Sequence, residues 1–147
     1  MLNTLGAILD TKGRSIHSVR PDATVLEAVR TMNAHRIGAV LVCEDDRLAG
    51  IFTERDVLTR VLDEARDPTA TTVADVMTDR VVVVAPSTTV EEAMAVVTDK
   101  RCRHLPVMED GRLQGLVSVG DLIRWVISKQ EFEIQNLVKY ITRRYPA

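Results

Sequence analysis

The chain has 147 residues, of which 46% are hydrophobic, 27% charged and 3% aromatic, and its formal net charge is -2. This composition indicates one compact folded unit or two very small ones, and it excludes a largely disordered chain. The slight acidity excludes the broad basic surface that duplex DNA or RNA binding normally requires. We find neither an apolar run long enough to cross a bilayer nor the layout of a signal peptide. We therefore expect a cytoplasmic protein without a membrane or nucleic-acid partner.

The first part of the chain opens with a predicted helix over residues 2–10, which Gly13 would end with a left-handed cap. Lys12 precedes the first strand, and its side chain either extends into solvent or contacts a phosphate. Apolar periodicity and turn residues then predict elements in the order strand, helix, strand, strand, helix. In this first unit they cover residues 16–19, a helix from Thr24, residues 39–43, residues 48–52 and a helix from Thr53.

The same order of elements is predicted a second time. A polar stretch over residues 63–72 contains Pro68 and is predicted to link the two units. After the second unit, apolar residues among charges predict a further helix over residues 129–144. The elements of the second unit cover residues 81–84, a helix from Thr89, residues 105–108, residues 113–117 and a helix from Ser118.

The two units are copies of one sequence. A constant shift carries Pro21 onto Pro86 and Gly50 onto Gly115, with no gap between them. The same shift aligns Thr24 with Thr89, Val25 with Val90, Glu27 with Glu92, Ala28 with Ala93, Arg36 with Arg101, Asp45 with Asp110 and Arg47 with Arg112. Such a match indicates internal duplication. We divide the chain into residues 1–66, the first unit with the N-terminal helix, residues 67–128, the second unit, and residues 129–147, a C-terminal helical extension.

Each copy ends its second hairpin strand with a hydroxyl that is followed three residues later by a carboxylate. These pairs are Thr53 with Asp56 and Ser118 with Asp121. An ionised carboxylate accepts two hydrogen bonds, which suits the vicinal hydroxyls of a ribose, and free N–H groups at a helix start suit a phosphate. The same residues also form ordinary helix caps, because an acid in the first turn complements the helix dipole. The sequence leaves both interpretations open.

The repeated pattern Gly-apolar-apolar-Thr/Ser-x-x-Asp, together with Thr-x-x-Glu-Ala at the start of a helix in each copy, resembles the cystathionine-β-synthase (CBS) domain. Residues 101–107 are similar to the basic segment that enters the second strand of many such domains. Two copies in register resemble a stand-alone tandem CBS pair, or Bateman module, over residues 10–127. The resemblance implies an α/β (α+β) fold: two pseudo-symmetric β-α-β-β-α units packed through their sheets, with extra helices at both ends.

This resemblance implies two clefts, each built from both copies, which take AMP, ADP, ATP, NAD or S-adenosylmethionine. Ile16, Ile37, Val81 and Cys102 would provide apolar contacts for an adenine. The first cleft would contain Thr53, Asp56, Arg80, Val81, Val82, Cys102, Arg103 and His104. The second cleft would contain Ser15, Ile16, His17, Ile37, Gly38, Ala39, Ser118 and Asp121.

The two copies differ at one position that matters for charge. The second copy has Arg103-His104 where the first has Gly38-Ala39. This pair would supply the positive charge that the acidic chain as a whole lacks, and Arg55 would do so at the mouth of the other cleft. We therefore expect the cleft of Asp56 to be the one that binds a multiply charged nucleotide. His104 as a satisfied, partly buried histidine is the alternative, and Arg101 is expected to be solvated at a helix end.

Three classes of function are open. The resemblance implies a non-catalytic regulatory module that senses an adenine nucleotide and signals energy or redox state to an unidentified partner protein. A ligand-free homodimeric scaffold is the alternative. We do not expect an enzyme, because the sequence shows no nucleophile–base pair, carboxylate pair or metal cluster. Cys43 and Cys102 have no metal-ligand spacing and are expected to be small buried groups.

CBS pairs are similar in usually forming disc-like homodimers through their helices, and the resemblance implies the same for this chain. The C-terminal helix would either clamp a partner subunit or close its own core. The apolar helix positions that we expect to exceed what one pair can cover are Val57, Leu58, Val61, Leu122, Ile123, Trp125 and Val126.

Overall fold

The computed structural model describes residues 3–144 of the chain. Residue 2 of the predicted first helix and residues 145–147 of the predicted extension lie outside the described residues. The helices are α1 (Leu5–Lys12), α2 (Val25–His35), α3 (Glu54–Asp56, continued by π-helical Val57–Leu62), α4 (Val73–Val76), α5 (Val90–Lys100) and α6 (Val119–Arg144). The strands are β1 (Ser18–Val19), β2 (Ala39–Glu44), β3 (Arg47–Thr53), β4 (His104–Glu109) and β5 (Arg112–Ser118).

Within the described residues the strands form two small sheets, one in each copy. Strand β1 pairs in parallel with β2, which pairs antiparallel with β3, and β4 pairs antiparallel with β5. The two hairpins share one register, because Val42 lies opposite Gly50 as Val107 lies opposite Gly115, and a bulge follows each pair. The predicted hairpins and the duplicated α+β architecture are confirmed.

The first strand of each copy is shorter than the sequence predicts. Strand β1 covers Ser18–Val19 rather than residues 16–19. In the second copy the prediction of a strand over residues 81–84 is wrong except at Val84, which forms a bridge to Val107. The reason is that Val81 and Val82 line a cavity between the copies. Their high strand propensity is overridden by this position.

Local capping determines where the long helices begin. Thr24 Oγ1 accepts a hydrogen bond from the Glu27 N–H at 3.2 Å, and Glu27 Oε2 accepts one from the Thr24 N–H at 3.2 Å. In the second copy, Thr89 Oγ1 accepts from the Glu92 N–H at 3.1 Å. These bonds satisfy N–H groups that have no partner inside the helix, so α2 and α5 start at equivalent positions.

The two short helices are exchanged between the copies, since α1 packs in the core of the second copy and α4 in the core of the first. The Leu5 N–H donates to the Thr88 carbonyl at 2.9 Å, and the Val73 N–H donates to the Ala23 carbonyl at 2.8 Å. Sequence adjacency groups α1 with the first copy, but its packing joins the second. The buried side chains that carry this exchange are Leu5, Ile8 and Leu9 in α1 and Val73 and Val76 in α4.

A third buried cluster joins the two sheets. Ala39, Leu41 and Ile51 of the first copy are buried, and Leu113 and Leu116 of the second pack against them. This apolar contact positions the ends of β3 and β5, and therefore the two Thr/Ser-x-x-Asp turns, beside the other copy.

The closing helix of the second copy and the predicted C-terminal helix are one continuous helix, α6. The prediction of a separate helix from residue 129 is therefore wrong, because neither Gly nor Pro interrupts the helix after Gly120. Side chains 130–143 are all exposed, so this half of α6 does not close the core of its own chain.

Two helix positions predicted to be surplus surface are instead buried. Val61 and Leu122 lie in the cores of their own copies. Leu58 and Ile123, their neighbours on the closing helices, are exposed as expected.

Candidate functional site

A cavity of ≈ 490 Å³ lies between the two copies, beside the turn from β3 to α3. This volume falls within the range of small-molecule sites in proteins. The first copy contributes the turn itself, and the second contributes the segment before Val84 and the segment between α5 and β4. The lining residues are Gly38, Ile51, Thr53, Glu54, Arg55, Asp56, Thr78, Arg80, Val81, Val82, Lys100, Arg101, Cys102, Arg103 and His104. All eight residues that we assigned to the first cleft are among them, and Arg55, which we expected at the mouth of the second cleft, lines this cavity instead.

Asp56 is buried at the edge of this cavity and caps its own helix. Its Oδ2 accepts a hydrogen bond from the Thr53 N–H at 2.9 Å, and the Asp56 N–H donates to Thr53 Oγ1 at 3.2 Å. The other oxygen, Oδ1, faces the Arg60 guanidinium at 3.6 Å, which is a loose ion pair on a partly exposed arginine. A carboxylate has about four acceptor positions, so Asp56 keeps capacity for a ligand while it caps α3.

Positive charge dominates the lining. Of the described residues that line the cavity, five are cationic, namely Arg55, Arg80, Lys100, Arg101 and Arg103, against the carboxylates of Glu54 and Asp56. The five cationic residues are exposed, which leaves their donors accessible at the mouth. A more open depression of ≈ 710 Å³ shares Gly38, Glu54, Arg55 and residues 101–104 with the cavity and extends to residues 118–120, the turn after β5. The chain is acidic as a whole but basic at this place.

His104 does not supply positive charge at neutral pH. Burial lowers the pKa of its imidazole below the ordinary value of 6.5, although the carboxylates of Glu54 and Asp121 act in the opposite direction. The expectation that His104 adds to the cationic charge is therefore wrong, because the desolvation cost exceeds the attraction of the two acids. A neutral imidazole still offers one donor and one acceptor.

The inner wall of the cavity is apolar. Ile51 is buried there, and Val81, Val82 and Cys102 are half-buried. Burial raises the pKa of the Cys102 thiol, so this sulfur is a neutral apolar surface at physiological pH rather than a nucleophile. An apolar wall below a cationic mouth suits a ligand with a flat hydrophobic part and an anionic part.

The equivalent turn of the second copy has the same cap and different neighbours. Asp121 Oδ2 accepts from the Ser118 N–H at 2.8 Å, and the Asp121 N–H donates to Ser118 Oγ at 3.2 Å. Lys12 Nζ lies 2.7 Å from the same Oδ2, and Arg124 Nη2 lies 2.7 Å from Oδ1. Burial raises the pKa of Asp121, but the hydrogen bonds from Lys12, Ser118 and Arg124 outweigh it and hold that pKa below its ordinary value.

The remaining residues assigned to the second cleft are dispersed. His17 stacks on His35 with ring centroids 3.7 Å apart, and Ile16 and Ala39 pack in the cluster between the sheets. Ile37 packs against the core of the first copy. Ser15 is exposed. Gly38 lines the cavity of Asp56, where its carbonyl accepts from the Glu54 N–H at 3.0 Å.

Sequence reasoning missed several residues of the first cavity. Lys100 and Arg101 were not assigned to it, although Arg101 caps α5 with a left-handed φ of 53° that turns the chain towards the cavity. The signal was available, because the basic run 100–103 directly follows a helix that ends beside the predicted site. Ile51, Glu54 and Thr78 were also missed.

Neither a metal site nor a membrane-spanning helix is seen among residues 3–144. No group of three or more His, Cys, Asp or Glu side chains is placed to hold a metal ion. In the same part of the chain no helix has the length and apolar character needed to cross a membrane.

Comparison with known proteins defines the class. The family model of the CBS domain matches residues 11–63 and again residues 73–128. The chain therefore belongs to the CBS domain family and is a tandem CBS pair, a regulatory module.

Individual relatives agree with this assignment. The mitochondrial CBS domain-containing protein CBSX3 of Arabidopsis thaliana is 38% identical, over 97% of this chain and 73% of its own length. A protein of solved structure from Burkholderia ambifaria, described as a signal-transduction protein with CBS domains, is 42% identical with a TM-score of 0.83, covering 86% of this chain and 96% of that one. A hexameric CBS-CP12 protein from bloom-forming cyanobacteria is 25% identical with a TM-score of 0.73, covering 98% of this chain and 84% of that one. Self-association thus occurs among the structural neighbours.

Proposed function

We propose that this CBS pair is a non-catalytic sensor that binds an adenine nucleotide, of the set AMP, ADP, ATP and NAD, in the cavity beside Asp56. The observation that carries the proposal is one cavity of ≈ 490 Å³. It combines an apolar wall, a carboxylate that can accept hydrogen bonds from ribose hydroxyls, and five cationic side chains. Each of these features matches one part of a nucleotide.

The base and the sugar find partners on the inner side of the cavity. Val81, Val82 and Cys102 offer apolar contact for a purine. Asp56 Oδ1 is held only by the 3.6 Å contact with Arg60. A pair of ribose hydroxyls donating to this oxygen replaces a loose contact with short charge-assisted hydrogen bonds.

The phosphates find partners at the mouth. Arg55 belongs to α3 of the first copy, whereas Lys100, Arg101 and Arg103 belong to the second. Arginine donates in pairs to phosphate oxygens, so several arginines on two elements clamp a polyphosphate more firmly than a single phosphate. We expect affinity to rise from AMP to ATP for this reason.

Regulation follows from the composite nature of the cavity. A ligand that touches both copies binds most tightly to one relative arrangement of them and so shifts the population towards it. Coupling of this kind typically supplies ~1–3 kcal/mol, which a partner protein that contacts both copies can detect.

The direct test is calorimetric titration of the protein with ATP, ADP, AMP and NAD, supported by thermal melts. A ligand at ~100 times its dissociation constant stabilises the protein by ~2.7 kcal/mol. Adenosine and inorganic phosphate serve as controls for the two halves of the ligand, and both are expected to bind far more weakly. Absence of binding by all four nucleotides would contradict the proposal.

A matched pair of variants tests the site itself. Arg101 and Arg36 are equivalent exposed residues at the left-handed ends of α5 and α2, with φ of 53° and 54°. Arg101 lines the cavity, and Arg36 lies in the other copy. Arg101→Gln is expected to weaken ATP binding about tenfold, the loss of one charge-assisted contact, while Arg36→Gln leaves it unchanged.

A ligand-free scaffold is the second candidate, and the exposed second half of α6 favours it. Ile134, Leu137, Val138 and Ile141 face solvent there, in continuation of the exposed Ile127 of the first half. A second copy of the chain would cover these side chains. Light scattering of Ile134→Glu is expected to show loss of a dimer. Nucleotide binding that persists in this variant would assign sensing and assembly to separate surfaces.

A further inference from the structure

The two exchanged helices, α1 and α4, lead to equivalent contacts with the repeat. Leu9 of α1 lies against Gly115 of β5, where an added Cβ would meet its Cδ2 at 2.7 Å. After α4, Met77 lies in the same way against Gly50 of β3, at 2.6 Å from the added Cβ to Sδ. Gly50 and Gly115 are equivalent residues of the repeat, so Leu9 and Met77 mark equivalent points of the two segments.

The segments diverge directly after these points. In the first copy α4 has ended, and Thr78 pairs with Ile51 of β3 through two backbone hydrogen bonds of 2.9 Å. The chain then passes Arg80 along the cavity. In the second copy α1 continues for three more residues to Lys12. Its ammonium donates to the carbonyl of Leu116, the equivalent of Ile51, at 2.8 Å.

The same ammonium also binds Asp121, the equivalent of Asp56, at 2.7 Å. Asp121 Oδ2 then has Lys12 and the Ser118 N–H, and Oδ1 has Arg124 at 2.7 Å. The Asp121 side chain is 8% exposed, whereas Lys12 is 39% and Arg124 is 72% exposed. Arg124 can swing into solvent, but Lys12 is held by its helix and by the Leu116 carbonyl.

We propose that Lys12 closes the second cleft, which the family resemblance implies beside Asp121, by occupying the acceptor sites of Asp121, so that each chain binds one nucleotide, beside Asp56. The inference rests on the proposed function and adds the number of sites and the residue that determines it. A ribose approaching Asp121 has to displace a cation at hydrogen-bond distance, whereas at Asp56 it displaces only the longer contact with Arg60. The length of α1 therefore decides which of two equivalent carboxylates is free.

The test is the number of AMP molecules bound per chain, measured by equilibrium dialysis at saturating AMP. Lys12→Met keeps the apolar stem of the side chain and removes its charge. Arg14→Met is the matched control, since Arg14 is an exposed cation nearby that pairs with Asp10 at 2.7 Å instead. We expect one AMP per chain for the unmodified protein and for Arg14→Met, and two for Lys12→Met. Asp121→Asn added to Lys12→Met is expected to return the number to one.

The outcomes separate the two proposals. One AMP per chain in Lys12→Met, or two in the unmodified protein, would overturn the role of Lys12 while leaving the nucleotide site beside Asp56 intact. No AMP bound by any of these proteins would overturn the proposed function and, with it, the inference. Circular dichroism melts of each variant verify that the fold is present in every sample.

Discussion

The two turns that follow β3 and β5 make the same capping hydrogen bonds and have different surroundings. In both, the carboxylate accepts from the N–H of the preceding hydroxyl residue, at 2.9 Å in the first copy and 2.8 Å in the second. Beside Asp56 lies a cavity with cations at its mouth, whereas two cations of the same chain bind Asp121. The motif alone therefore defines a helix cap, and the neighbours from other elements decide which charges and how much space surround that cap.

The difference arises from a segment outside the repeated motif. Helix α1 has eight residues and α4 has four. Because α1 is longer, it places Lys12 against the carboxylate of Asp121 in the second copy. Duplication produced two equivalent turns, and the unequal helices give their carboxylates different charged neighbours. Each of the following variants tests one part of this comparison.

The largest effect is expected where α1 packs into the second copy. Leu9 is fully buried against Gly115, so Leu9→Ala removes apolar contacts and leaves a cavity that costs about 3 kcal/mol of unfolding free energy. Urea unfolding measures this loss. Val83→Ala, at an exposed valine, is the control and should change stability by less than about 0.5 kcal/mol. Equal losses in both variants would show that α1 does not support the second copy.

The two carboxylates are expected to differ in their contribution to stability. Asp121→Asn breaks the short contacts with Lys12 and Arg124 around a buried group, and we expect a loss of about 2 kcal/mol. Asp56→Asn loses mainly the cap and the loose contact with Arg60, at a cost of about 1 kcal/mol. Parallel urea titrations compare them. A larger loss for Asp56→Asn would contradict the proposal that Lys12 closes the second cleft at Asp121.

The smallest effect is a pH dependence that arises from His104. Because burial lowers the pKa of His104 in the folded chain, the unfolded chain takes up a proton first as pH falls through 6.5. Stability is thus fully present above that pH and declines below it. Unfolding at about pH 7.5 and about pH 5.5 is expected to show the decline, and His104→Gln to reduce it. The lowered pKa of Asp121 contributes stability that is lost only at much lower pH, below its ordinary value of 3.8.

An unchanged pH profile in His104→Gln would place the titrating group elsewhere. In that case the lowered pKa of His104 would lose its support. So would the conclusion that the positive charge of the cavity comes from its arginines and lysine alone.

Much of the fold could be predicted from the sequence, because the duplication allows each predicted element to be checked against its equivalent in the other copy. Both hairpins and both capped helices were predicted, since Thr24 with Glu27 and Thr89 with Glu92 are local signals repeated at one shift. The strand predicted over residues 81–84 was wrong because its valines line a cavity, which is a tertiary effect. The strand propensity of a valine does not indicate whether its side chain will line a cavity in the folded chain.

The candidate site was predictable only in part. Residues near Asp56 and residues 80–82 and 102–104 were assigned together through the family resemblance, and the structure places them in one cavity. The role of Lys12 was missed, because a lysine ahead of a strand is normally solvated and nothing local reveals that α1 packs on the other copy. Exchange of α1 and α4 is a long-range feature, and only the folded structure shows that it brings Lys12 onto Asp121.

The central claim is that Asp56, and not Asp121, belongs to the nucleotide site. Calorimetric titration of ATP into Asp56→Asn and Asp121→Asn tests it most directly, with each variant verified to be folded. We expect Asp56→Asn to weaken binding by about 10- to 100-fold, the loss of charge-assisted hydrogen bonds to a ribose, and Asp121→Asn to bind as tightly as the unmodified protein. Equal losses in the two variants, or a greater loss in Asp121→Asn, would contradict the account.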